Sequence, residues 1–281
     1  MREPVAGRDL APTGGALGIL QSWFLRRELV WSLTKRDLLV RYRGSLLGLT
    51  WSILTPLALL TVYAVVFGFV FRMRWAGSEP GDFTTLALMM FCGMVPFNFV
   101  NETLSRSTQS IMSAPNYVKR VAFPVEILPL VTVLSALIQA LIGCAVLALG
   151  VWLAQGHLPA SWVLLPVIWI PLVFCMAALA LLLSGVGIFI RDTPHIIGIA
   201  MLMVMFVTPI FYPDSMVPPR MQFLMFINPL ANLVTNMRKV CVTGDPVNWT
   251  SWSALLLAAL VTYALVAQWF ARIRRRFADV L

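Results

Sequence analysis

Long apolar stretches alternate with short charged segments along most of the chain. Six of these stretches are long enough to predict helices, at residues 46–71, 83–103, 127–154, 162–190, 196–213 and 249–271. A helix of about 20 apolar residues crosses the ~30 Å hydrocarbon core of a bilayer. The pattern therefore predicts an all-α integral membrane protein with six transmembrane helices, an even number that leaves both termini on one side.

Two further segments are predicted to be helical without crossing the bilayer. Residues 22–44 hold few helix breakers, and their Arg and Lys side chains can reach lipid headgroups, so they predict an amphipathic interfacial helix. Residues 213–248 are too apolar for a free loop and too interrupted for two spans, so short re-entrant or interfacial helices are expected, broken at Asn228-Pro229. Residues 1–21 are expected to form a loose cytoplasmic tail and residues 273–281 a basic one.

Composition and charge support this class and orient the chain. Hydrophobic residues make up 59% and charged residues 12% of the sequence, whereas a soluble domain carries about 25% charged residues. With the N-terminus inside, sixteen of the 21 Lys and Arg residues fall on inner segments. Cations concentrate on the cytoplasmic side of spans. Both termini are therefore predicted to be cytoplasmic, and the net charge of +9 is attributed to topology and lipid headgroups, not to nucleic acid.

No motif for catalysis or metal binding is found. The sequence contains no GxxxxGK[ST], HExxH or GxSxG, and its four cysteines form no CxxC pair. Asp192 and His195 could form the acid/base pair of a membrane enzyme, but they lie in a short loop beside Pro194 with no second carboxylate nearby. No catalytic residue, metal or cofactor is therefore predicted for this chain, and it is not expected to be an enzyme by itself.

Two acidic residues lie at the predicted inner ends of spans two and three, Glu102 and Glu126. Neither is at a midplane, where a proton-driven carrier would place an ionisable group. Two interpretations stay open. The acids form ion pairs with Arg106, Lys119 or Arg120, or they shape a docking site for a partner.

Aromatic residues recur along the first predicted span. Tyr63, Phe67 and Phe71 are spaced by four and share one helix face, and Trp51 lies earlier in the same span. They either pack against lipid and core or line a path on which sugar rings could slide by stacking. Spacing alone does not choose between these alternatives.

Five segments, in order, resemble the permease subunits of ABC exporters for O-antigen, capsule and teichoic acid. They are "KRDLLVRYRGSLLGLTWSILTP", "NYVKRVAFPVEILPL", "IRDTPHIIGIAMLMVMFVTPIFYP", "INPLANLVTNMR" and "RRRFADVL". The resemblance covers residues 28–281. It implies the type-2 ABC exporter fold, a homodimer with two ATPase subunits that bind ATP and Mg, and a lipid-linked polysaccharide substrate. It also implies a location among the lipids of the bacterial cytoplasmic membrane.

The resemblance further assigns roles to residues. The channel would lie along spans one and five, with Trp51, Tyr63, Phe67, Phe71, Phe211 and Tyr212 as its candidate lining. Coupling to the ATPase would involve Asn116, Tyr117, Lys119, Arg120, Phe123, Glu126, Arg191 and Asp192. Because arginine can grip phosphate oxygens bidentately, Arg41 and Arg43, with Tyr42 between them, are hypothesised to contact the diphosphate of the substrate lipid. For these cations, a role in topology and headgroup contact alone stays an alternative.

Two other transporter classes stay open. A drug or lipid exporter of the same ABC superfamily would share these features. A secondary transporter is disfavoured because deep charges are scarce and no internal repeat is found.

Overall fold

The chain is described from a computed structural model over residues 15–71, 75, 82–118, 123–274 and 277. In those residues every regular element is helical. The α-helices are α1 (Ala16–Leu25), α2 (Arg27–Arg41), α3 (Trp51–Tyr63), α4 (Phe83–Ser107), α5 (Pro115–Val118), α6 (Ile127–Gln155), α7 (Leu165–Phe189), α8 (Thr193–Val207), α9 (Gln222–Ile227), α10 (Pro229–Arg238) and α11 (Trp249–Ile273). The predicted all-α class is confirmed.

Five helical stretches of the described chain are long and apolar enough to cross a membrane. They are Trp51–Val70, Phe83–Ser107, Ile127–Gln155, Ala160–Phe189 and Trp249–Ile273. The predicted span at 196–213 corresponds to α8, whose 15 residues make about 22 Å of helix at ~1.5 Å per residue. The helix stops at Val207 because Pro209 disfavours a helical conformation in Thr208, which is extended (ψ 136°). A sixth full span therefore stays a prediction.

Prolines inside two long helices are accommodated by side chains of neighbouring helices. Pro56 has no N–H, so the carbonyl of Ser52 loses its helical partner. The amide Nε2 of Gln139 donates to that carbonyl at 3.3 Å. Pro171 frees the carbonyl of Val167 in the same way, and the indole Nε1 of Trp252 donates to it at 3.1 Å. Both bonds satisfy backbone groups that lipid could not.

The core of the bundle is built around α4, which packs against α6, α7 and α10. In the most apolar stretch of α4, 78% of the residues are buried, against 11% for the stretch Trp51–Val70 and 22% for α11. The first and last spans therefore present most of their surface to their surroundings. The two ends of the bundle are named here by their contents. The terminal face holds α1, α2 and the C-terminal end of α11, and the distal face holds α9 and α10.

The N-terminal segment differs in detail from the predicted helix at 22–44. It forms two helices, because Arg26 leaves the helical conformation (φ −108°, ψ 27°). The first begins at Ala16, inside the segment expected to be a loose tail, because Ile19 and Ser22 are buried against the bundle. Apolar side chains on the other side, such as Phe24 and Trp31, are exposed, as an interfacial helix requires. Residues 1–14 and most of 275–281 lie outside the described chain.

The distal segment after α8 contains the short helices that its sequence predicts. The break between α9 and α10 is at Asn228, whose side-chain oxygen accepts from the backbone N–H of Leu230, and Pro229 occupies the first helical position. A π-helical turn, Lys239–Thr243, follows α10. Three carbonyls of that turn accept hydrogen bonds from the side chains of Gln155, the last residue of α6, and of Ser161 and Trp162 in the α6–α7 connection. The short helices are thereby attached to the bundle.

Candidate functional site

A cavity of about 340 Å³ lies near the terminal face between the end of α2 and the helices α3, α4 and α6. It is called the polar cavity here because seven polar or charged side chains with amide, hydroxyl, carboxylate or guanidinium groups border it. They are Arg41, Tyr42, Thr55, Asn98, Asn101, Glu102 and Gln139. Two of the three residues predicted to contact a diphosphate, Arg41 and Tyr42, therefore line one cavity.

Arg41 belongs to an ion cluster that joins α2 to α4. Its guanidinium pairs with the carboxylate of Glu102, which also accepts from Arg106 Nη1 at 3.2 Å. Arg106 Nη2 in turn donates to Asp37 Oδ1 at 2.6 Å. Burial alone would lower the pKa of Arg41, but the hydrogen bond and charge of Glu102 outweigh it and raise that pKa. The cluster holds two cations and two carboxylates, so its charges cancel.

Tyr42 and Gln139 form a neutral extension of this cluster. The hydroxyl of Tyr42 donates to Gln139 Oε1 at 3.3 Å, and Gln139 Nε2 donates to the Ser52 carbonyl. Arg43, the third predicted contact, is exposed beyond the end of α2 and forms no ion pair within the described chain. The three predicted residues are therefore close in space, but only Arg43 carries a charge that no acidic side chain of the described residues balances.

A second depression, the terminal groove, lies on the other side of the ion cluster. Its volume is about 540 Å³, and Asp37, Arg106 and Tyr117 are among its lining residues. Arg36 Nη1 donates to the Tyr117 hydroxyl at 2.8 Å, and the Tyr117 ring packs on Phe123 with centroids 4.7 Å apart. Two predicted coupling residues, Tyr117 and Phe123, are thus held together beside this groove.

Of the other predicted coupling residues, some are exposed at the terminal face and some lie outside the described residues. Arg191 and Asp192 are exposed between α7 and α8, at the terminal face where Phe189 packs on Phe277. His195 is also exposed, and no cluster of metal-ligating residues is found in the described chain. Lys119 and Arg120 lie outside the described residues, and of Asn116 only the backbone is described, within α5.

Glu126 has a different environment from the one expected for a docking residue. It is only 1% exposed. Ser22 Oγ donates to its Oε1 at 3.2 Å, and Arg274 Nη1 to its Oε2 at 3.4 Å. Among the described residues Glu126 is linked to the end of α11, and its expected partners Lys119 and Arg120 lie outside them, whereas the expected Glu102–Arg106 pair is confirmed. Glu126 ties α1, α6 and α11 together.

Four of the six predicted channel-lining residues form one aromatic cluster. Phe67 stacks on Phe211 with centroids 5.4 Å apart, and its ring also lies 5.8 Å from that of Phe71. Tyr63 packs against both Phe67 and Phe211. The cluster joins the π-helical turn Ala64–Val70, which continues α3, to the segment after α8. Span one therefore meets the segment that follows the short fifth helix through these rings.

The two remaining lining candidates, Trp51 and Tyr212, do not belong to this cluster. Trp51 is exposed at the start of α3, about three turns from Tyr63. Tyr212 donates its hydroxyl to the carbonyls of Phe206 and Val207, at 2.9 and 3.3 Å. Tyr212 thereby satisfies backbone groups at the end of α8.

Arg238 is a residue whose role sequence analysis missed, since it was counted only as an outer cation. It is 6% exposed. Its Nε donates to the Met89 carbonyl at 3.1 Å, its Nη2 to the Ile210 carbonyl at 2.8 Å, and its guanidinium lies 4.4 Å from the centre of the Trp75 ring. Burial lowers its pKa to about 10, although the charge of Asp214 opposes this. The available signal was its place at the end of a charge-free run, residues 221–237.

Comparison with known proteins extends over most of the chain. A family model described as ABC-2 type transporter matches residues 28–242. The O-antigen export system permease protein RfbA of Klebsiella pneumoniae is 25% identical over 257 residues, which cover 90% of this chain and 95% of that protein. RfbA of Myxococcus xanthus is 26% identical over 226 residues (79% and 83% of the two chains). The polysialic acid transport protein KpsM of Escherichia coli is 24% identical over 246 residues (85% and 90%).

Proposed function

The chain belongs to the ABC-2 type transporter family, and we propose that it is the permease subunit of an ATP-driven exporter of lipid-linked polysaccharide. The substrate would be O-antigen, capsular polysaccharide or teichoic acid, moved across the bacterial cytoplasmic membrane. One observation carries this proposal. The similarity to permeases named for O-antigen export runs over 90% of this chain and 95% of the relative, so the two share nearly their whole length.

The exposure of the first span supports assembly as a homodimer. Large apolar side chains on α3 and its π-helical extension, such as Leu57, Val65 and Phe69, are exposed, as are Leu202 and Phe206 on α8. The aromatic cluster joins the first of these elements to the segment that directly follows α8, so the two elements can offer an apolar surface to a second copy. In the proposed dimer the cluster borders the polymer path, and its rings can stack on sugar rings.

The terminal face is the proposed docking surface for two ATPase subunits, which bind ATP and Mg. Tyr117 and Phe123, with the exposed Arg191 and Asp192, supply a mixed aromatic and charged surface. In this arrangement both termini are cytoplasmic, and the permease itself makes and breaks no covalent bond.

Arg43 is the favoured contact for the substrate diphosphate. Its charge is uncompensated, whereas the charge of Arg41 is balanced by Glu102. Replacing Arg41 and Arg43 together with Gln is expected to reduce export while leaving assembly intact. Arg43→Gln alone should account for most of that loss. Unchanged export in the double variant would remove the diphosphate role.

Co-purification with a candidate ATPase tests the proposal. The two chains are expressed together, extracted in mild detergent and assayed for complex formation and ATP hydrolysis. We expect a complex of two permeases and two ATPases, weakened by Tyr117→Ala on the terminal face. Phe223→Ala, an exposed residue on the distal face, is the matched control and should leave the complex intact.

Export in cells completes the test. A strain that lacks its own polysaccharide permease should regain surface polymer when it receives this chain with its ATPase. A chain that purifies alone and transports without ATP would contradict the proposal and favour a secondary transporter. An intact complex that moves lipids or drugs but no polymer would favour the other exporter class.

A further inference from the structure

Asn98 has an unusual position in the most buried span. From Leu86 to Val100 along α4, every residue is buried except Asn98. Its amide has no hydrogen-bond partner among the described residues. An unsatisfied amide is costly in hydrocarbon, so polar side chains within spans generally face cavities or partners rather than lipid. Asn98 borders the polar cavity, which accounts for its exposure.

The hydrogen-bonding groups left over in this cavity are neutral. Arg41 and Glu102 are paired with each other, and Gln139 uses both ends of its amide on Tyr42 and Ser52. Asn98 keeps all of its donors and acceptors. Asn101, one turn further along the same face of α4, accepts one long bond of 3.5 Å from Ser105 and keeps its amide N–H groups.

This charge balance selects the kind of ligand. An anion would need an unpaired cation, and binding one at Arg41 would have to displace the Glu102 carboxylate. A neutral group rich in hydroxyls needs only donors and acceptors of the kind that Asn98 and Asn101 present. Apolar walls from Leu59, Phe91 and Phe99 suit a ring with C–H faces.

The space for such a ring is provided by one face of α6. Its cavity-lining residues, apart from Gln139, are small, namely Ala136, Ala140 and Gly143. The resulting volume of about 340 Å³ lies within the range of ~300–1,000 Å³ found for small-molecule sites. A larger side chain at 140 would occupy this space directly.

We infer that the polar cavity binds a sugar ring of the lipid-linked substrate, held by hydrogen bonds from Asn98 and Asn101. This inference rests on the proposed export function and goes beyond it by naming a sugar-binding site within one permease. Arg41 and Tyr42, which directly precede Arg43 in the chain, line the cavity. A diphosphate held by Arg43 would therefore place the sugars attached to it at the entrance of the cavity.

The test compares two probes on the permease–ATPase complex in lipid nanodiscs. One is a polyprenyl diphosphate that carries the first two sugars of the host polymer, and the other is the same polyprenyl diphosphate without sugar. The stimulation of ATP hydrolysis is measured against the concentration of each. Asn98→Leu, which keeps the size and removes the amide, should raise the half-saturating concentration of the sugar-bearing probe about tenfold. It should leave that of the sugar-free probe unchanged.

Two further variants separate binding from folding. Ala140→Leu fills the cavity without removing a polar group and should produce the same selective shift, as should Asn101→Ala. Thr262→Val is the matched control, because its hydroxyl bonds only to Ala258 of its own helix, α11. It should behave like the wild type with both probes.

The outcomes are distinct. An equal shift for both probes in Asn98→Leu would overturn the inference in favour of a lipid or diphosphate site. No shift for either probe, with loss of the dimer, would overturn it in favour of a contact between copies. A wild-type complex that neither probe stimulates would overturn the proposed function and this inference with it. A wild type stimulated by both probes, with no selective shift in any variant, would overturn the inference alone.

Discussion

The ion cluster at the terminal face and the surroundings of Arg238 at the distal face hold charge in opposite ways. At the terminal face, Asp37, Arg41, Glu102 and Arg106 form a neutral cluster in which each side chain is 20–36% exposed. At the distal face, the side chain of Arg238 is 7% exposed and its carboxylate partner, Asp214, lies 3.4 Å away and is 36% exposed. Two backbone carbonyls and the Trp75 ring complete its surroundings.

The two sites differ in whether water can replace the protein groups that bond to each charged side chain. Water can take over the partners of partly exposed charges, so the terminal cluster is expected to contribute little stability and to rearrange at low cost. A buried guanidinium has no such substitute, and removing it leaves the groups around it unsatisfied. The surroundings of Arg238 are therefore expected to be held rigidly, while the ion cluster at the terminal face can respond to docking partners and substrate.

The largest effect is expected from Arg238→Leu. Loss of its hydrogen bonds to Met89 and Ile210 should lower the free energy of unfolding by about 3 kcal/mol. Thermal unfolding of the purified chain in detergent measures this. Arg238→Lys should be intermediate, because an ammonium cannot reproduce the planar fork of donors.

Arg220 offers a matched control at the same face. It is exposed and forms no ion pair within the described chain, so Arg220→Leu should leave stability nearly unchanged. If Arg238→Leu were as stable as Arg220→Leu, the contrast between the two faces would fail.

A smaller effect is expected at a part-buried, neutral hydrogen bond between α11 and α7. Trp252→Phe removes the donor to the Val167 carbonyl, which Pro171 leaves without a helical partner. This should cost about 1.5 kcal/mol. Trp249→Phe, at an exposed position one turn away, is the control, and an equal loss in both variants would indicate that ring size, not the hydrogen bond, matters.

Glu102→Gln tests the terminal cluster. It should lower the free energy of unfolding by about 1 kcal/mol or less, because water can reach both of its cationic partners. Its effect should shrink further as salt is raised, since screening weakens exposed pairs. Unfolding curves at low and high salt provide the measurement. Glu28→Gln, an exposed acid of α2 that forms no ion pair within the described residues, is the control. A loss as large as that of Arg238→Leu would contradict the comparison.

The smallest effect is expected for the Asp37–Arg106 pair. A double-mutant cycle with Asp37→Asn and Arg106→Gln should give a coupling energy of about 0.5 kcal/mol. A coupling several times larger would mean that the terminal cluster is as rigid as the distal centre.

Much of the fold could be predicted from the sequence because apolar length is a local property. The run predicted at 127–154 is the helix Ile127–Gln155, and that at 249–271 is Trp249–Ile273. The break at Asn228 was also predictable, because a capping residue followed by proline starts a helix wherever it occurs. The fifth span was overestimated, because hydropathy continues past Val207 while Pro209 prevents the helix from doing so.

The candidate site was predictable only in part. The sequence identified Arg41 and Tyr42 beside the first span. The structure adds that Arg41 forms an ion pair with Glu102 and that Tyr42 donates a hydrogen bond to Gln139. Sequence analysis did not single out Asn98, because a single sequence does not show which polar residue of a span faces a cavity. Its exposure depends on small residues of α6, which lie some forty positions away in the sequence.

The sequence by itself determined the membrane class, the positions of the long helices and the family, because each follows from transfer of local segments into lipid or from motifs in order. The tertiary structure decided which polar groups on different helices are paired. Glu126 bonds to Arg274 at the end of α11, and Arg238 is buried where it donates to the carbonyls of Met89 and Ile210. The physical reason is that a polar group within or beside a bilayer must find its partner on whichever helix packs next to it, and helix packing is not encoded in any one segment.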